Sequence, residues 1–234
     1  MSAIGLLNEK PLHSSLKEWY SCPGDLLEVP VDGFVVDIVR GTSLIEIQTG
    51  GFHSIRSKLR KLLPMHEIRL VHPVPQEKWI VKVPQDGGEP SRRKSPKKGR
   101  VEDLFSEMVS FPDLLLDRNL SVEVLLTREE EILRYDGARG WRRRGWLVEE
   151  RRLLEVVDSR LFTHPSQWLS LLPEGTAEFT TEDLAAKLRM RRGLAQKMAY
   201  CMRMSDIIVQ VGRRGRSNLY SVAVPDNSSR GRGC

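Results

Sequence analysis

The sequence predicts an α/β (α+β) fold for the first part of the chain, followed by a separate C-terminal domain of two helices and two strands. Three observations predict it. Short β-rich runs at Leu27–Val31, Phe34–Arg40 and Ser43–Thr49 are separated by the two-residue turn signals Asp32-Gly33 and Gly41-Thr42. Helical apolar patterns flank these runs on both sides. Near the C-terminus, a capped helix, a second helix and two strands around a Gly- and Arg-rich tip make a pattern of their own.

Taken in order, "NEKPLHSSLKEWY" reads as a short helix, with Asn8 as N-cap and Pro11 in the first turn, where a missing N–H costs nothing. "CPGD" then breaks the chain. Asp32-Gly33 asks for a type I′ hairpin turn, and Gly41-Thr42, with Gly first, for type II′. "FHSIRSKLRKLL" is an amphipathic helix with Phe52, Ile55, Leu59 and Leu62 on one side. "EIRLVHPV" and "KWIVKV" read as two further strands, giving the order α-β-β-β-α-β-β over residues 1–84. Residues 85–100 are polar and basic with Gly and Pro, and read as a linker. Residues 101–172 are mixed: "VEDLFSEMVS" looks helical, "NLSVEVLLT" looks like a strand, and "RGWLVEERRLLEVVDSRLF" turns from hairpin arm into helix. This segment either completes the first domain or stands alone. Residues 173–224 hold "FTTEDLAAKL" behind a Thr cap, the helix "LAQKMAYCMRM" and the strands of "DIIVQVGRRGRSNLYSV". Residues 225–234 read as a disordered tail.

Composition narrows the function classes. The 234 residues suffice for one large domain or two small ones. No apolar run is long enough to span a bilayer, and "MSAIGLLNEKPLHSS" has no basic region followed by an apolar core. Cys22, Cys201 and Cys234 form no disulfide framework, and the five histidines have no zinc spacing; a cytoplasmic location is expected. The net charge is +6, concentrated in "SRRKSPKKGR", "RGWRRRGW", "GRRGR" and the tail "SSRGRGC". Four such patches point to a polyanionic partner, DNA first, with RNA as the alternative.

The candidate chemistry lies in "VVDIVRGTSLIEIQTGGF". Counting outward from the Gly41-Thr42 turn, Asp37 comes directly opposite Glu46, with Gln48 on the same sheet face. Val36, Ile38, Ile45 and Ile47 point the other way, into a core. Opposed like charges are destabilising unless something offsets them. A divalent cation that takes carboxylate oxygens and keeps several waters is one offset; arginines or lysines on an exposed sheet face are the plainer one.

The first helix, the hairpin, Asp37, the E-x-Q of Glu46–Gln48 and the helix that follows resemble the PD-(D/E)XK, or restriction-endonuclease-like, nuclease superfamily, over roughly residues 5–83. The resemblance implies a mixed sheet with flanking helices and cleavage of phosphodiester bonds with Mg²⁺ (or Mn²⁺). Asp37, Glu46 and the Ile47 carbonyl would hold the metal, Gln48 would position the attacking water, and Glu9 would be an accessory acid. Gln48 stands where Lys is usual in that superfamily. The DLAAKL helix, the LAQKMAY helix and the V-G-R-R-G-R-S-N-L-Y hairpin resemble a winged helix-turn-helix domain. That likeness implies a second helix in the major groove, offering Arg191, Arg192, Gln196, Lys197 and Tyr200, and a wing whose Arg213, Arg214 and Arg216 meet phosphates. Arg142, Arg143 and Arg144 add a further DNA-contacting patch. The expected function is a Mg²⁺-dependent DNA endonuclease. The alternatives are a non-catalytic DNA-binding regulator that keeps the fold without the chemistry, and an RNA-processing nuclease; a homodimer stays open.

Overall fold

The computed structural model describes residues 10–85, 87–137, 145–175 and 177–223. The chain divides into two compact units. The first takes residues 1–104 and 118–161, and the second takes 105–117 and 162–234.

The first unit is a seven-stranded mixed sheet with flanking helices. Helix α1 (Pro11–Tyr20) starts with Pro at N1 and buries Leu12, Leu16 and Tyr20, spaced by four. Strands β1 (Leu26–Val31) and β2 (Phe34–Arg40) are antiparallel. Asp32 (φ 47°) and Gly33 (φ 85°) between them both take the left-handed backbone that a type I′ turn needs. Strand β3 (Ser43–Ile47) returns antiparallel to β2, with Ile38 opposite Ile45 and Arg40 opposite Ser43. A 3-10 turn (Phe52–Ile55) leads into helix α2 (Arg56–Leu62), which buries Leu59 and Leu62. The chain then re-enters the sheet as β4 (Ile68–Val83), parallel to β3. A parallel pair needs such a crossover, because a tight turn can only reverse direction. Strand β5 (Ser91–Lys94) pairs antiparallel with the far half of β4. Strand β6 (Leu120–Tyr135) lies parallel to β4 on its other side, and β7 (Trp146–Phe162) follows it in the sheet. The core under α1 joins Leu12, Leu16 and Tyr20 to Ile38, Ile45, Ile47, Val71 and Leu125.

Three expectations change. The two strands read at "EIRLVHPV" and "KWIVKV" are one strand. Pro73 and Pro75 lack an N–H, yet β4 runs through them because its register against β6 shifts between Pro75 and Glu77, and the Gly99 N–H donates to the Pro75 carbonyl at 2.9 Å. The expected linker at 85–100 carries β5. The run expected to turn helical after Trp146 is strand throughout. It is a mostly half-exposed end strand, whose long charged side chains give no clean period of two.

The second unit begins with the short helix α3 (Phe105–Met108), which buries Phe105 and Met108, and a 3-10 turn at Pro112–Leu114. Helix α4 (Pro165–Leu169) brings Trp168 against Phe162, rings stacked at 4.1 Å. Strand β8 (Glu178–Phe179) precedes helix α5 (Thr181–Lys187). Thr180 caps α5, accepting from the Asp183 N–H while the Asp183 carboxylate accepts from the Thr180 N–H. Helix α6 (Arg192–Met204) buries Ala195, Met198, Ala199, Cys201 and Met202. Strands β9 (Ile208–Arg214) and β10 (Ser217–Val222) close a three-stranded sheet in the order β8-β10-β9. Among the described residues, no helix is long and apolar enough to cross a membrane.

Candidate functional site

Asp37 and Glu46 are the next residues beyond the last paired positions of β2 and β3, Ile38 and Ile45. Strand alternation turns Ile45 and Ile47 toward α1 and Glu46 the other way. Glu46 is nonetheless only 7% exposed, because β3 is interior to the sheet. The two carboxylates are held differently. Asp37 Oδ2 accepts from the Ile47 N–H at 2.7 Å and from His13 Nε2 at 3.3 Å. Glu46 accepts from the Lys58 ammonium, which also donates to the Val35 carbonyl at 2.6 Å. Helix α1 thus supplies a histidine to Asp37, and helix α2 a lysine to Glu46.

Their acidities diverge accordingly. Burial alone would raise the Asp37 carboxyl. The hydrogen bond and charge of His13, the Ile47 N–H and the charge of Lys58 outweigh it and hold Asp37 below its ordinary value. Burial and the charge of Asp37 push Glu46 up to about 7, against the pull of Lys58. Burial is the larger of the two causes at Glu46.

The end of β3 is fixed from β4. The Gln48 N–H donates to the Val71 carbonyl at 2.9 Å, and the Gln48 carbonyl accepts from His72 Nδ1 at 2.6 Å. His72 is buried with its ring edge-on to Phe52, centroids 4.9 Å apart. The Gln48 amide nitrogen donates to the Gly50 carbonyl at 2.5 Å, so this side chain braces the turn after β3. Among the described residues, no group of three or more His, Cys, Asp or Glu is placed to hold a metal ion. Donors beyond the two carboxylates would therefore be backbone carbonyl, such as that of Ile47, and water. Magnesium, which binds through one or two carboxylates and keeps several waters, suits such a set.

The second unit gathers most of the remaining candidates. Arg191 is the N-cap of α6; Arg192, Gln196 and Lys197 are exposed on that helix. Arg213 and Arg214 end β9, and Arg216 sits in the turn to β10. Arg192, Gln196 and Arg216 line one cleft of about 420 Å³ between α6 and the β9–β10 hairpin. Lys197, Arg213 and Arg214 are not among its lining residues. Two of these arginines already face acids of α5: Arg192 is paired with Glu182, and Arg214 with Asp183 at 2.8 Å. Glu9, Arg142, Arg143 and Arg144 lie outside the described residues.

Sequence reasoning missed His13 and Lys58 in the first unit, and Arg203, Gln210 and Asn218 of the cleft in the second. Lys58 alone carried a signal, as a lysine on the basic face of the helix after β3.

Residues 10–163 match a domain of unknown function (DUF8091), and the chain belongs to this family. The matched span contains Asp37, Glu46, His13 and Lys58 and stops before α5. A protein of Treponema pallidum (strain Nichols), described as an uncharacterized protein, is 32% identical over 237 residues, covering 97% of this chain and 90% of its own. No solved structure matches the chain.

Proposed function

We propose that the protein hydrolyses phosphodiester bonds in DNA with a divalent cation held at Asp37 and Glu46, the second unit supplying DNA affinity. One observation carries this reading: two neighbouring carboxylates, partly buried just beyond the β2–β3 ladder, one of them raised to about 7. The order α1-β1-β2-β3-α2-β4 supports it, since it contains every element on which the resemblance to the PD-(D/E)XK nucleases rests. A cation bound there supplies a lowered water pKa and stabilises the leaving oxygen.

The chain's own residues have separable tasks in this reading. The Ile47 N–H and His13 fix the Asp37 carboxylate and keep it ionised. His72 holds the backbone at Gln48, and with it the neighbouring Ile47 carbonyl. Lys58 brings to Glu46 the positive charge that Gln48, a neutral amide, lacks. The resemblance puts a lysine at position 48. Here the ammonium comes from the next helix instead.

The C-terminal pattern supports DNA binding. A capped helix, a second helix with exposed Arg192, Gln196 and Lys197, and a hairpin tipped with Arg213, Arg214 and Arg216 match what a winged helix-turn-helix requires.

A second reading is a non-catalytic DNA-binding regulator. Lys58 favours it, because the ammonium on Glu46 already offsets part of the pair's charge. Incubating the full chain with supercoiled, linear and branched DNA and with RNA, with and without Mg²⁺ or Mn²⁺, separates these readings. Metal-dependent nicking or cutting of DNA is the expected result. Binding without cleavage under every metal condition selects the regulator, and cleavage of RNA alone selects an RNA-processing nuclease.

A further inference from the structure

We propose that the cleft between α6 and the β9–β10 hairpin binds an unpaired DNA strand, its bases against Tyr200 and its phosphates on arginines from both walls. This rests on the DNA-binding half of the reading above and names the form of the DNA.

Shape is the first argument. Arg192, Gln196, Tyr200 and Arg203 are spaced by four, four and three residues, so they form one stripe along α6. A helix that reads duplex DNA enters the major groove as a ridge. Here the stripe is instead one wall of a concavity, faced by Gln210, Arg216 and Asn218. Its volume, about 420 Å³, falls in the range of sites for single small molecules, about 300–1,000 Å³. Such a space admits a nucleotide or two. It is also elongated: from Arg192 to Arg203 the helix rises about 16 Å, so a strand has a track to follow.

Chemistry is the second. Three guanidinium groups line the cleft, and their forks match phosphate oxygens. Tyr200 is 41% exposed, which leaves ring surface for stacking, an interaction that any base can make. The opposite wall is ordered before a ligand arrives. Gln210 Nε2 donates to Asn218 Oδ1 at 3.3 Å, and Asn218 Nδ2 donates to the Tyr220 hydroxyl at 3.4 Å. These amides offer donors and acceptors without a fixed sequence preference. Glu182 also lines the cleft and pairs with Arg192. A phosphate at that end therefore competes with a carboxylate, which sets a ceiling on affinity and disfavours binding of other acids.

The test uses the full chain, a fluorescent oligo-dT and a duplex of equal length, with affinities measured at one salt concentration. The single strand is expected to bind more tightly than the duplex. Tyr200→Ala and Arg203→Ala should each weaken single-strand binding by about tenfold or more and weaken duplex binding distinctly less, while Tyr200→Phe keeps single-strand binding. Both side chains are exposed, so the variants leave the packing of α6 intact. A preference for the duplex, or two alanine variants that weaken both forms equally, overturns the assignment. If duplex binds through Arg213, Arg214 and Arg216 and neither Tyr200→Ala nor Arg203→Ala changes anything, the cleft assignment alone fails. If neither form of DNA binds, the DNA-binding reading fails with it.

Discussion

Asp37 and Glu46 carry the same chemical group a sheet position apart, and their neighbours set them on opposite sides of the ordinary carboxylate range. Two backbone and side-chain donors serve Asp37, so it stays ionised; burial and the Asp37 charge make Glu46 the member that takes up a proton first. The consequence for stability has a definite sign. A raised folded-state value means that Glu46 favours the fold while neutral; that contribution is complete below its unfolded value of 4.5 and is lost as pH rises through about 7. Asp37, lowered, behaves oppositely, its contribution lost only as pH falls below the usual carboxylate range. In metal-free buffer, Glu46→Gln should therefore gain in melting temperature relative to the parent as pH rises from about 5 to about 8. A difference that stays constant over that window would falsify the assignment. Lys58 has its own test. Lys58→Met should lower cleavage by about a hundredfold with DNA affinity unchanged, as titrations of both would show. Full activity in that variant would remove Lys58 from the chemistry.

At the scale of elements, the hairpins were legible because their turns make a local demand. Asp32-Gly33 takes positive φ at both residues, and Gly41 at its own turn has φ 59°. Counting from the second turn also gave Arg40 opposite Ser43 and Ile38 opposite Ile45, with Asp37 and Glu46 next in line. Strand β4 was not legible, because two prolines read as an end of pairing. Its continuity depends on Gly99, distant in sequence, whose N–H reaches the Pro75 carbonyl. That approach leaves no room for a side chain: a Cβ on Gly99 would lie 2.3 Å from the Pro75 oxygen and 2.8 Å from Val74 Cγ1. Gly99→Ala should cost on the order of 2 kcal/mol or more, read as a drop in denaturant midpoint. An unchanged midpoint would mean that the 99–100 backbone is not what holds the bulge. His13 and the cleft residues Arg203, Gln210 and Asn218 were illegible for a common reason. Each meets its neighbours only once helices and strands dock, and no local pattern states that docking.

On the scale of the whole molecule, the chain leaves its first unit at residue 105, spends thirteen residues in the second, and returns at 118. Ser205, just after α6, donates to the Pro112 carbonyl, and Phe105 lies 6.1 Å from Trp168, so the inserted segment is part of the second unit's packing. No cut at a single point therefore separates the units, and their roles are better divided by substitution. Changing Arg213, Arg214 and Arg216 together to Ala should weaken DNA binding and flatten its log–log salt dependence by up to about 0.9 per lost phosphate contact; an unchanged slope means that the hairpin tip points away from DNA. The most direct measurement of the central claim is thermal melting of the full chain and of Asp37→Asn and Glu46→Gln, each with and without Mg²⁺. A ligand that binds only the folded state raises its stability by mass action. Mg²⁺ should raise the melting temperature of the parent and leave both variants unmoved, and in metal-free buffer at about pH 8 Glu46→Gln should not melt below the parent. A Glu46→Gln variant that melts markedly lower there, with no response to Mg²⁺ in any of the three proteins, would contradict the claim and make Asp37 and Glu46 ion-pair partners of a structural sheet.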